Sequence, residues 1–406
     1  MPPSHILPQC LATVFDSLHA STAPVVLKAV DALSWGGWLT LTEVARHWPG
    51  AERVAAPLKA TDRLLRSPVL TRARNPLYAA MVRWLVREAH PLVAVDWSDL
   101  KADGSFKLLR AGLVVQGRTL TLWEEVHPER TAGTAAVEQA FLHHLAQCLP
   151  AGCQPVVLSD AGFRRPWFRS VLAQGWDYVG RVRGTTRVQP NAAAAANPAE
   201  WVSVTALHEL AQVRRRRDLG AFRMGLRAPL CTRLIVYQGL RKGRRAFTLR
   251  GTRRRDRVSE DAARSAREPW VLATSLDTTT TAAKIVRYYA RRMTIEQGFR
   301  DLKSDVFGAG FEHSLTHKGG RLANLLVLFA LRQFAAWLIG LCEERERDAL
   351  RLEGSRHPRR RHYSTLRLGV EILKHPLWWP PRRLLKRFLR DLGRGCPLAL
   401  QSAATA

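Results

Sequence analysis

The chain has 406 residues, with 63 Lys and Arg against 34 Asp and Glu, a formal net charge of +29. Hydrophobic residues make up 46% and charged residues 24%, a globular balance that excludes global disorder. At roughly 100–200 residues per domain the length suggests about two to four domains. A surface this basic repels itself and calls for a polyanion, nucleic acid first and an anionic membrane second. Only 10 of the basic residues are Lys. Genomic base composition can replace Lys by Arg, but it does not explain the scarcity of acids.

Residues 1–86 read as mostly helical. Thr42 to Trp48 is a short amphipathic turn or helix stopped by Pro49-Gly50. Pro57 opens a second helix through Arg66, since its missing N–H is unneeded in a first turn. The pair, basic on its second member, resembles a helix-turn-helix. Met1 to Ala12 lacks the basic and apolar regions of a signal peptide. Cys148 and Cys153 are the only close cysteine pair, without the second pair a zinc site needs. Buried thiols of a reducing cytosol are the expectation.

From residue 91 the period changes from 3.6 to 2. Leu92 to Val95 is an apolar run ending in Asp96, and Phe106–Val115 and Thr119–Val126 flank the turn Gln116-Gly117. A helix over Thr134–Leu149 precedes the strand Pro155–Leu158, which leads to Asp160. A short helix over Pro166–Gln174 and a strand near Tyr178–Gly180 complete the order β-β-β-α-β-α-β.

Residues 184–269 differ in character. An alanine-rich loop, Asn191 to Asn197, precedes strands at Leu234–Tyr237 and Ala246–Leu249. Between residues 180 and 260 there are 19 Lys and Arg against 5 acids. Basic runs interleaved with strands favour a surface that tracks phosphates. A strand at Pro269–Thr274 then leads to a long helix, about Ala282 to Leu302, capped by Thr280 or Thr281. The apolar stretch Leu322–Gly340 contains Asn324, Arg332 and Gln333, and reads as a buried helix rather than a membrane span. The tail turns basic through Arg359–Arg361 and Arg382-Arg383.

Three acids carry the chemistry. Asp96 and Asp160 each end an apolar strand, and Glu296 lies within the late helix. Carboxylates are hard oxygen ligands for Mg²⁺ or Mn²⁺. Two such ions can activate an attacking oxygen and stabilise a leaving oxygen at a phosphodiester. On one continuous helix Tyr289, Arg292, Glu296 and Lys303 share a sector of roughly 60°. An Arg and a Lys beside metal-binding acids suit phosphate positioning.

The spacing Tyr289-x2-Arg292-x3-Glu296-x6-Lys303 resembles the Tyr-Arg-Glu-Lys signature of one group of DDE transposases of bacterial insertion sequences. Leu158-Ser159-Asp160-Ala161-Gly162-Phe163 and Asp96-Trp97-Ser98 are similar to the family's first two acid motifs. Asp62-Arg63-Leu64-Leu65 and Glu268-Pro269-Trp270 extend the likeness. The resemblance implies an α/β fold: a ribonuclease H-like mixed-sheet core, a β-rich insertion, and helical N- and C-terminal regions. The expected domains are a helical DNA-binding domain (1–86), the core (87–183 and 270–340), the basic insertion (184–269) and a helical basic C-terminal region (341–406). It also implies Asp96, Asp160 and Glu296 as catalytic metal ligands for Mg²⁺, with Mn²⁺ substituting. Tyr289, Arg292 and Lys303 would contact DNA phosphates, and Trp270 would stack on an extruded base. The implied activity is cut-and-paste DNA transposition through a hairpin intermediate, followed by strand transfer. The implied partners are double-stranded DNA, as terminal inverted repeats and target, and a second copy of the chain, a homodimer on paired ends. No membrane role is expected, and the location is cytoplasmic, at the nucleoid. The alternative is a catalytically inactive DNA-binding protein or regulator derived from a transposase.

Overall fold

The computed structural model describes residues 2–191, 200–240, 267–306, 308–347, 349–352 and 362–394, together with 252, 260 and 263. Six helices come first: α1 (Pro3–Cys10), α2 (Ala12–Ser17), α3 (Thr22–Trp35), α4 (Leu41–Arg46), α5 (Ala55–Arg66) and α6 (Pro68–Leu85). Thr40 caps α4 by accepting the Glu43 N–H at 3.2 Å. Residues 47–54 separate α4 from α5. That is longer than the turn of about three or four residues in a helix-turn-helix, so the tight motif expected there is absent. Lys59, Arg63 and Arg66 of α5 are exposed.

The alternating segments then give β1 (Leu92–Asp99), β2 (Phe106–Val115), β3 (Arg118–Pro128), α7 (Ala135–Cys148), β4 (Val156–Ser159), α8 (Arg165–Ala173) and β5 (Asp177–Val182). This is the expected β-β-β-α-β-α-β order. Four further strands, β6 (Arg187–Pro190), β7 (Val202–Ser203), β8 (Arg216–Met224) and β9 (Leu230–Tyr237), make the next segment β-rich. The strand expected at Ala246–Leu249, most of the alanine-rich loop, Arg241 to Arg245, Arg253–Arg255 and Arg359–Arg361 lie outside the described residues. After β10 (Trp270–Thr274) come α9 (Ala282–Arg291), α10 (Thr294–Lys303), α11 (Gly319–Glu346), α12 (Thr365–Lys374) and α13 (Arg382–Arg394). The class is mixed α/β.

The chain divides into two compact units, Met1–Pro155 with Met293–Ala406, and Val156–Arg292. In the first, β1, β2 and β3 form an antiparallel meander. In the second, β4 and β5 are parallel, as α8 between them permits, and β10, β9, β8, β6 and β7 continue antiparallel.

The core of the first unit is built on α11. This helix is long and apolar enough to cross a bilayer, yet nearly all of its apolar side chains are buried in its own unit. Its Asn324 amide donates to the Leu65 carbonyl at 3.1 Å, and Arg321 pairs with Asp62 at 2.6 Å. Near its end α11 meets α12 backbone to backbone. A Cβ at Gly369 would overlap the Ala336 carbonyl, and one at Gly340 the Thr365 carbonyl. Only glycine permits this approach. Gly369→Val is therefore expected to destabilise by about 1–3 kcal/mol or more through overpacking, read as a lower urea midpoint. Gly320→Val, at an open position, is expected to cost much less.

Candidate active site

Two findings alter the positions expected for the acids. First, β1 runs on to Asp99, so Asp96 is mid-strand rather than at the strand's end. Second, the long late helix is two helices. The Arg292 N–H bonds the Tyr289 carbonyl, three residues back, at 2.9 Å. This tight closure ends α9, and α10 starts at Thr294. The single-face arithmetic therefore holds only for Glu296 and Lys303, which share α10. It does not carry across the break to Tyr289 and Arg292.

In the first unit Asp96 is half-buried, and its Oδ1 accepts the Trp97 N–H at 2.9 Å. Across the meander it faces Arg110 of β2, which faces Glu124 of β3. Residues in register point to one face of a sheet, so an acid, a base and an acid form a row. Arg110 and Glu124 are almost fully buried, with a guanidinium nitrogen 2.6 Å from the carboxylate. The Arg110 Nε donates to the same oxygen at 2.8 Å, and the Tyr78 hydroxyl donates to Glu124 at 2.6 Å.

The helix bearing Glu296 lies over this row. The Arg110 guanidinium is 5.3 Å from the Phe299 ring centroid and 3.4 Å from the Gly298 carbonyl. A Cβ at Gly298 would come within 2.9 Å of Thr119 Oγ1, so glycine sets how closely α10 sits. Arg118 pairs with Asp301 at 2.9 Å. Lys303 Nζ donates to Ser98 Oγ at 2.8 Å, two residues beyond Asp96 on the same face of β1. Burial holds the Lys303 ammonium below the ordinary lysine value, with Glu312 and Asp99 opposing. Thus α10 is tied to all three strands, with Glu296 exposed in its first turn. Asp99 is exposed and pairs with Lys107 across the strands.

In the second unit Asp160 directly follows β4, and its Oδ1 accepts the Gly162 N–H at 2.8 Å, a turn that fixes the carboxylate. Trp270, half-buried, opens β10. Its ring meets Tyr289 edge-on, with centroids 4.9 Å apart, and the Arg292 guanidinium lies 6.0 Å from the Tyr289 ring. Tyr289 and Arg292 are buried. Burial pushes the Tyr289 hydroxyl up. Arg292 and Arg181 pull it down, and the Asp160 charge raises it further.

The first unit therefore carries Asp96, Glu296 and Lys303, and the second carries Asp160, Trp270, Tyr289 and Arg292. Among the described residues, no three His, Cys, Asp or Glu side chains form a cluster able to hold a metal ion. By chemistry the three acids are suitable hard donors, and none of them is fully buried. Sequence reading missed Arg110 and Glu124. The available signal was a charge set in or against each of two apolar runs: Arg110 within Leu108-Leu109-Arg110-Ala111, and the acid pair Glu124-Glu125 directly after Leu122-Trp123.

Breaking the buried pair is costly because it strands an uncompensated charge. Arg110→Ala is expected to lose about 3–5 kcal/mol of stability in urea unfolding. Arg110→Met combined with Glu124→Leu should lose much less. An equal loss in both variants would refute the stranded-charge account.

A comparison with protein-family models matches residues 87–332 to the Transposase DDE domain. No curated protein matches the chain. Among solved structures, the chain is similar to piggyBac transposase, determined by cryo-EM as a synaptic complex with hairpin DNA. The identity is 10% and the TM-score 0.39, over 96% of this chain and 75% of that one. The family match spans more than half of the 406 residues and includes Asp96, Asp160 and Glu296; the chain belongs to the Transposase DDE domain family.

Proposed function

We propose that this transposase acts by cut-and-paste, as a member of the insertion-sequence group with the Tyr-Arg-Glu-Lys signature. The observation that carries the reading is the tie between α10 and β1. Lys303 holds the helix bearing Glu296 to the strand bearing Asp96, inside the stretch matched to the family. Asp96, Asp160 and Glu296 are the catalytic carboxylates and the ligands of Mg²⁺, for which Mn²⁺ substitutes. When bound, the divalent metal supplies activation of the attacking oxygen and charge neutralisation at the leaving one.

The chain's own residues position DNA. Lys303 and Arg292 hold backbone phosphates as charge-assisted donors, and Tyr289 completes that contact while packing edge-on against Trp270. The Trp270 ring stacks on the extruded base. Water attacks phosphorus at the element's end and releases a 3′-OH. That hydroxyl attacks phosphorus of the opposite strand, displacing the 3′-OH of the flanking DNA and closing a hairpin on the element's end. A second water opens the hairpin and frees the 3′-OH again, which attacks phosphorus of the target DNA and displaces a target 3′-OH. Two copies of the chain act on paired ends at the nucleoid, in the cytoplasm.

The test uses Mg²⁺ and DNA carrying the flanking inverted repeats, with nicks and hairpins scored separately. Asp96→Ala, Asp160→Ala and Glu296→Ala should each abolish nicking while leaving end binding intact. Full cleavage by any one variant would remove that residue from the catalytic set. If the wild type binds ends and never nicks them, the inactive regulator is the correct reading. Trp270→Ala should slow hairpin formation about fivefold or more, from the loss of about 1–3 kcal/mol of stacking, and leave nicking nearly unchanged. Equal loss in both steps would assign Trp270 to folding instead.

A further inference from the structure

The C-terminal helix α13 has two sharply different sides. Leu385, Phe388, Leu389 and Leu392 are all buried, in a helix that packs on α11. Arg382, Arg383, Lys386, Arg387, Arg390 and Arg394 are exposed, with Asp391 the lone acid among the helix's exposed residues. Arg387 pairs with Glu346 at 2.6 Å, and Arg390 lies 3.8 Å from Asp391. Among the described residues, no acid lies within ion-pair distance of Arg382, Arg383, Lys386 or Arg394.

The placement is also costly to the helix itself. Its first turn holds no acid, while Arg382 and Arg383 crowd the end where the helix dipole is already positive. A local rule broken in this way is expected at functional or strained sites. Arg382, Lys386, Arg390 and Arg394 recur every fourth residue, a row about 18 Å long that spans the rise of about five phosphates on one DNA strand.

We infer that the exposed side of α13 is a sequence-independent docking surface for the phosphate backbone of duplex DNA. The inference rests on the proposed DNA transactions for its partner. An anionic membrane fits less well, because insertion needs the apolar side that the fold already buries. A second copy fits less well too, because like charges would face each other.

Binding of a short duplex of arbitrary sequence, lacking the element's ends, tests this by fluorescence anisotropy between about 50 and 200 mM salt. The full chain is compared with Arg382→Gln/Arg383→Gln/Lys386→Gln, in which Gln keeps helix propensity. Each phosphate contact contributes a slope of about 0.9 in log K against log salt, so the triple variant should lower the slope by about two to three. It should weaken arbitrary and end-containing DNA equally. Each single variant should lower the slope by about one, which covers a triple variant that melts early. An unchanged slope in folded variants would overturn the inference. So would loss of binding to phosphatidylserine vesicles with DNA binding intact. Failure of the wild type to cleave ends, with the slope still falling, would count against the transposase reading alone and would support this surface.

Discussion

Arg110 is the charge on which the face of the first unit that carries Asp96 is organised. It is buried beneath α10, between Asp96 and Glu124 in the register of the meander. A guanidinium there must be paired, because an unpaired buried charge costs several kcal/mol. Glu124 pairs with it, Tyr78 holds Glu124, and the Gly298 carbonyl and Phe299 ring cover it. Meeting those demands brings α6, the sheet and α10 together in one arrangement. Glu296 and Lys303 are carried on α10 as a consequence. The pair is weak as a source of net stability but strong as a constraint on geometry.

Much of the fold was legible because period and punctuation are local properties. The change from helical to alternating spacing near residue 91, the Gln116-Gly117 turn and the apolar run before Asp160 sufficed for the strand order. What was illegible depended on hydrogen bonds that composition does not encode. No proline or glycine marks the break at Arg292, where one backbone N–H bonds three residues back instead of four.

The Arg110–Glu124 pair shows the same limit in a sheet. Counting back from Val115 opposite Arg118 would place Arg110 opposite Trp123. A β-bulge at Ala111/Gly112 shifts the register by one, so Glu124 faces Arg110 instead. A one-residue shift exchanges the faces of a strand. The charge row beside Asp96 therefore exists because of an irregularity that alternation does not reveal. The three candidate acids were picked out by resemblance and order, while the Arg110–Glu124 pair in line with Asp96 required the register.

The basic excess has separate uses. Some of it is internal, as in Arg110, and serves packing. Some is half-buried and paired, as in Arg321 with Asp62. On α13 the exposed row includes Arg382, Lys386 and Arg394, for which no acid among the described residues lies within ion-pair distance.

Asp96, Asp160 and Glu296 are proposed as the ligands of the divalent metal. Anomalous diffraction from the protein bound to inverted-repeat DNA in Mn²⁺ tests it most directly. Anomalous density at these carboxylates, lost in Asp160→Ala, is the expected result. Density bound elsewhere, with these three acids uninvolved, would contradict it.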